Sequence, residues 1–168
     1  MNKSIKVKKY FLIPLVAFAT INVFAQTDSF DVFTYQSPQF FSKIELSAGL
    51  QFTMRNADSN FCTITLYKSQ QAKKDVMKDI ISQWNEQVVK RLPKANKKPG
   101  RIMTGQLWYG WASTLAIGNF YQNKKKCVVM LQSFGKNETS ACVVFAFSDP
   151  LFKGAIEDIS QNLQLKDQ

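Results

Sequence analysis

Cys127-Val128-Val129-Met130-Leu131 and Cys142-Val143-Val144-Phe145-Ala146-Phe147 are apolar at odd and even positions alike. Successive side chains on a strand point to opposite faces, so strands of this kind must be covered on both sides. Gly135-Lys136-Asn137-Glu138 between them carries the turn residues of a hairpin. Whatever else the chain does, it must lay one apolar layer above this hairpin and another below it.

Two helices are predicted to supply those layers. Val76, Met77, Ile80, Ile81, Trp84 and Val88 recur at three- and four-residue spacing, which predicts a helix from an N-cap at Ser69 to about Leu92, where Pro93 stops it. Ser148-Asp149-Pro150 is a helix start, and Phe152, Ala155, Ile156, Ile159 and Leu163 form one stripe behind it. Upstream, Ile44, Leu46, Ala48, Leu50, Phe52 and Met54 alternate with Lys43, Glu45, Ser47, Gln51, Thr53 and Arg55. That is the period of β structure, interrupted by a tight turn at Ser47-Ala48-Gly49. Asn56-Ala57-Asp58-Ser59-Asn60 is a turn before the strand Cys62-Thr63-Ile64-Thr65-Leu66, on which Thr63 and Thr65 mark a wetter face. Phe33-Thr34-Tyr35 reads as a short strand leading into the turn at Ser37-Pro38, and Gln106 to Phe120 as a strand region. The fold class expected is α+β: an antiparallel sheet sandwiched between helices, α/β/α.

The amino-terminal segment stands apart from this pattern. Lys3, Lys6, Lys8 and Lys9 precede an apolar run from Tyr10 to Val23 that ends in Val23-Phe24-Ala25 before Gln26. This is the form of a secretory signal peptide cleaved after Ala25. Pro14, Thr20 and Asn22 break the run, which falls short of the ~20 residues a bilayer crossing needs. Residues 1–25 are therefore assigned to the leader and 26–168 to one α/β domain, periplasmic or secreted, with no transmembrane helix after cleavage. The whole chain carries 22 Lys and Arg against 12 Asp and Glu; without the four leader lysines 18 bases remain. Three cysteines in an exported chain leave at least one unpaired in the monomer. Cys62, Cys127 and Cys142 read as small core residues, with one bridge plus one free thiol as the alternative.

Chemistry is scarce. The chain has no histidine, which removes Ser-His-Asp and Cys-His catalysis and imidazole metal ligation. No Gly-rich phosphate cradle, C-x-x-C or G-x-S-x-G is present, and no cofactor or metal is implied. Asp75 and Asp79, one helical turn apart among lysines, read as a solvated, salt-bridged face rather than as ligands to a divalent ion. Asn137-Glu138-Thr139 has the form of a glycosylation acceptor but reads as a turn. The chain is not expected to be an enzyme; a histidine-free hydrolase using carboxylates or tyrosines, Tyr109 or Tyr121, is the catalytic alternative.

The binding candidates are basic and aromatic. Lys90, Arg91, Lys94, Lys97, Lys98 and Arg101 follow one another with no acid between them, and Pro93 to Gly105 reads as an exposed irregular loop. Lys124 to Lys126 form a turn that joins this rim if the topology brings the two together. On a continuous strand Trp108 faces opposite to Tyr109 and Trp111, so either one face is core or an aromatic platform is exposed. Lys94, Lys97, Lys98, Arg101, Trp108 and Trp111 are accordingly the candidate binding residues. Such a surface suits a polyanion or an anionic envelope surface, but export argues against a nucleic-acid partner.

The order of elements is similar to that of the PsbP and Mog1p-like superfamily. The resemblance begins with Phe33-Thr34-Tyr35-Gln36-Ser37-Pro38 and runs through the alternating strands to Leu66. It then takes in the helix containing Trp84, the terminal strands, the helix from Pro150 and the closing Leu163-Gln164-Leu165. It covers nearly the whole mature chain at the level of fold. It implies a non-catalytic scaffold that presents loops, since its members dock on a membrane complex or bind a small GTPase. Neither activity carries over residue by residue. The function expected is that of an exported accessory protein binding another envelope protein or a macromolecular complex.

Overall fold

A computed structural model describes residues 27–166. The expected leader lies outside these residues. Seven strands form the main antiparallel sheet: β3 (Ser42–Leu46), β4 (Gly49–Arg55), β5 (Phe61–Gln71), β6 (Arg101–Trp108), β7 (Trp111–Gln122), β8 (Lys125–Lys136) and β9 (Thr139–Phe147), in the order β3-β4-β5-β9-β8-β7-β6. The doubly apolar strands β8 and β9 are interior, β9 pairing with β5 through Ile64↔Phe145 and with β8 through Leu131↔Val144. A second, three-stranded sheet joins β1 (Thr27–Phe30) and β2 (Phe33–Gln36) to β10 (Gln164–Leu165).

Two separate cores follow from strand parity. On one face Leu50, Phe52, Cys62, Ile64, Leu66, Val143 and Phe145 pack against Phe33 and Tyr35 of β2 and against Phe152, Ile156, Ile159 and Leu163 of the last helix. That helix, α2 (Lys153–Asn162), follows a 3-10 turn at Pro150–Phe152 whose first amide is capped by Asp149, as the sequence predicts. The small sheet shares this layer, an addition to the expected sandwich. On the other face Ala116, Phe120, Cys127, Val129, Leu131, Cys142 and Val144 pack against Ile80, Trp84 and Val88 of the middle helix. The three cysteines are buried and unbridged, Cys62 in the first core and the other two in the second.

The middle helix differs from expectation. Ser69 is not its cap, because β5 runs on to Gln71 and Gln70 and Gln71 pair with Ser140 and Thr139. Asp75 caps instead, its carboxylate accepting from the Lys78 amide at 3.0 Å. Helix α1 (Val76–Gln83) passes directly into a π-helical stretch, Trp84–Val89. Buried residues then fall four apart at Ile80, Trp84 and Val88, while Val76 and Met77 remain 52% and 47% exposed. Trp84 sits directly over β7: a Cβ on Gly118 would come within 2.8 Å of its six-membered ring, so the helix docks only where this strand has no side chain. Asp79 is not on a solvated face. It is buried, accepting from Lys73 N at 3.2 Å, Gln83 Nε2 at 2.9 Å and Ser140 Oγ at 2.6 Å. That network fixes the helix start to β9.

The strand region expected from Gln106 to Phe120 is instead the end of β6, a two-residue turn and β7. Tyr109 and Gly110 both take positive φ, 50° and 79°, the condition for a tight hairpin turn. Trp108 and Trp111 are therefore directly opposed across the hairpin and share one face, rather than pointing apart.

Candidate functional site

The basic loop is held along the sheet rather than hanging from it. Tyr121 N donates to Pro93 O at 3.1 Å, Asn96 N to Asn119 O at 2.9 Å and Gly100 N to Ile117 O at 2.8 Å. Asn96 Oδ1 accepts from Asn119 N at 2.8 Å, and Asn96 O accepts from Trp84 Nε1 at 2.9 Å. The segment thus continues the edge strand β6 backwards past β7. Lys94, Lys97, Lys98 and Arg101 are exposed along it, Lys94 beside the end of β7 and so beside the Asn123–Lys124 turn. The two basic clusters meet at one end of the sheet.

The aromatic candidates do not join them. Trp111 is 1% exposed and belongs to the first core, which removes it from any binding surface. Trp108 is half-buried, packs on the same core and donates from Nε1 to Leu163 O at 3.2 Å, tying the end of α2 to the sheet. It also stands seven residues beyond Arg101 on β6, roughly 23 Å at strand rise. Tyr109, in the turn before the 12-residue β7, and Tyr121, near that strand's far end, do not converge on one site.

At the basic end, the same face of the sheet carries a cleft that the charge run alone does not reveal. The middle helix covers β7, β8 and β9 but leaves the polar parity of β4 and β5 open. There Gln51, Thr63 and Thr65 form the floor of a cavity of about 230 Å³, with Val144 and Ala146 beside them. Gln87, Arg91 and Leu92 supply the wall from the helix end, and Arg55, Phe61, Tyr67 and Gln122 close the other sides. The Arg91 guanidinium lies over the Tyr67 ring at 5.3 Å and that of Arg55 over Phe61 at 5.6 Å. No carboxylate lines the cavity, and among the described residues neither arginine has an acidic partner. Gln51 Nε2 donates to Thr65 Oγ1 at 3.3 Å, whereas the buried Oε1 of Gln87 has no hydrogen-bond partner. Burial pushes the Tyr67 phenol up to about 12, opposed by the nearby Arg91 cation, so the ring hydroxyl is neutral at ordinary pH. A second cleft of about 360 Å³ shares Arg55, Phe61 and Gln122 with the first and adds both Asp58 and Lys125.

The threonines and the Gln51–Arg55 parity were visible as the wet side of two strands. Arg91 was visible only as one of six bases. What assigns it to a site is its place just beyond the π-helical stretch, with its guanidinium over Tyr67 of β5.

No family model and no curated protein sequence matches the chain. Solved structures share its architecture, two of them as follows. LpqN, involved in cell envelope biogenesis of Mycobacterium tuberculosis, superposes with a TM-score of 0.54 at 14% identity, over 80% of this chain and 83% of its own. Cyanobacterial PsbP from Synechocystis gives 0.52 at 7% identity, over 90% of this chain and 99% of its own. The chain thus shares an α+β fold, an antiparallel sheet with helices, with PsbP, as its order of elements leads one to expect. At these identities the likeness defines the fold alone. Among the described residues, no helix is long and apolar enough to cross a membrane and no cluster of acids and thiols could hold a metal.

Proposed function

We propose that the protein is an exported, non-catalytic binding module that docks through its basic end on an anionic partner in the cell envelope. The observation that supports this reading is the fastening of residues 93–100 along β7, which holds the backbone of Lys94 near the Asn123–Lys124 turn and that of Lys97 and Lys98 further along the same strand. A preformed edge of like charges spends little ordering entropy on contact and attracts an oppositely charged surface over several ångströms. The leader-like amino terminus and the envelope role of LpqN support the location.

The test is crosslinking in the native envelope from a photoreactive residue at the exposed position 121, beside Pro93, in the otherwise wild-type chain and in the variant Lys94→Gln, Lys97→Gln, Lys98→Gln, Arg101→Gln. A defined crosslinked partner that disappears in the folded variant, and weakens with added salt, is the expected result. Equal crosslinking by both proteins removes the loop as the docking surface.

A further inference from the structure

We propose that the cleft between the end of the middle helix and the polar face of β4 and β5 binds a small hydroxylated oxyanion, a carboxylate or a phosphate ester, gripped by Arg55 and Arg91. This goes beyond docking through the loop and stands independently of it, since none of the four loop residues lines the cleft.

Three observations converge on that ligand class. First, the charge is one-sided: two guanidiniums and no carboxylate line the cavity. A guanidinium presents a planar fork of donors that matches a carboxylate or phosphate in bidentate fashion. Both arginines are exposed, and each fork already lies over a ring, Arg91 on Tyr67 and Arg55 on Phe61, which restrains it before anything binds. Second, the floor and wall offer polar groups suited to hydroxyls. Thr63 is the more accessible of the two threonines, Thr65 being buried and already accepting from Gln51, and Gln87 brings an amide whose oxygen is buried and unpartnered. An unsatisfied buried acceptor is costly, and a ligand hydroxyl donating to it removes that cost. The neutral Tyr67 phenol can likewise donate without repelling an anion. Third, the size is small. About 230 Å³ is below the ~300–1,000 Å³ of sites that enclose drug-sized molecules, which points to a compact polar metabolite rather than a lipid tail or peptide. Val144 and Ala146 beside the threonines lower the local dielectric and strengthen the charge contacts.

The experiment titrates the folded protein with D-glucuronate, inorganic phosphate and D-glucose, following backbone amide NMR shifts of Thr63, Thr65, Gln87 and Arg91. The expected result is saturable shifts with glucuronate, phosphate or both, and none with glucose. The first two arms tell which oxyanion is preferred. Arg91→Gln and Arg55→Gln should each weaken binding at least tenfold, with Arg91→Lys recovering only part of it, while the four-residue loop variant binds as wild type does. Circular dichroism confirms that each variant is folded; Thr63→Val, which keeps both arginines, should weaken glucuronate more than phosphate. Glucose binding as well as glucuronate, unchanged affinity in the Arg91→Gln protein, or shifts confined to residues 94–101 would each overturn the assignment.

Discussion

Strand β5 faces two environments within a single run of residues. Cys62, Ile64 and Leu66 enter a core closed by β2 and α2, whereas Thr63 and Thr65, one step away, face a cleft that the middle helix leaves open. The difference comes from what lies above each face rather than from the strand. On the first side a helix and a three-stranded sheet together span β4, β5, β8 and β9. On the second a single helix, seated by Trp84 over Gly118 of β7, reaches only as far as β5. One helix is too narrow to cover seven strands, and the uncovered part is where polar side chains can be afforded and a ligand admitted.

The comparison breaks most readily at adjacent positions. Ile64→Ala should cost about 2–5 kcal/mol, because the methyl groups removed leave a void in a closed core. Thr63→Ala, next to it in the chain, should change stability by no more than about 0.5 kcal/mol, since its side chain borders open space. Urea denaturation of the two variants measures the contrast. Similar losses in both would mean that the second face is as closed as the first.

Alkaline titration sharpens the same contrast with a smaller effect. Burial pushes both the Cys62 thiol, on the dry face, and the Tyr67 phenol, on the cleft face, up to about 12, from ordinary values of 9.0 and 10.0. A group whose pKa is raised by folding stabilises fully below its unfolded value and loses that contribution as pH climbs towards the folded one. Stability should therefore be level up to pH ~9 and fall above it, each group adding roughly 1.4 kcal/mol per pH unit within its own window. Tyr67→Phe should ease the fall only above pH ~10, and Cys62→Ala should ease it from pH ~9 without abolishing it, because burial also raises the Cys127 and Cys142 thiols. Equilibrium unfolding at stepped pH separates them, and a curve unaltered by Tyr67→Phe would show that the phenol is already solvated through the cleft.

Much of the layering was legible in the sequence because it rests on local periodicity. The double parity of β8 and β9 demanded two covers, and the Asp149-Pro150 start and the Ile156, Ile159, Leu163 stripe named one of them. The errors came where non-local pairing overrode local preference. Ser69 resembles a cap, but Gln70 and Gln71 complete the ladder with β9, so the helix starts later. Trp108 and Trp111 read as opposed on one strand, and the left-handed pair Tyr109-Gly110 folds them onto one face. The cleft was half legible. Its floor follows from alternation along β4 and β5, but its wall is made by Gln87, Arg91 and Leu92 at the helix end, whose placement over β5 no spacing of Val76, Ile80 and Trp84 announces.

The basic segment is the same problem at the sheet edge, and there the expected effect is smallest. Composition reads 93–100 as a solvated linker, yet Asn96 clasps it from three sides, through Asn119 N, Asn119 O and the indole N–H of Trp84. Only the side-chain bond depends on residue type, so Asn96→Ala should cost about 1 kcal/mol, whereas Lys97→Ala, exposed one residue later, should cost nothing measurable. Amide hydrogen exchange at Ile117, Asn119 and Tyr121 reads the difference locally, since the loop shields that side of β7. Faster exchange at Asn119 in the Asn96→Ala protein alone is expected. If both variants exchange as wild type does, the strap is not what orders the lysines, and a docking surface built on their fixed positions loses its physical basis.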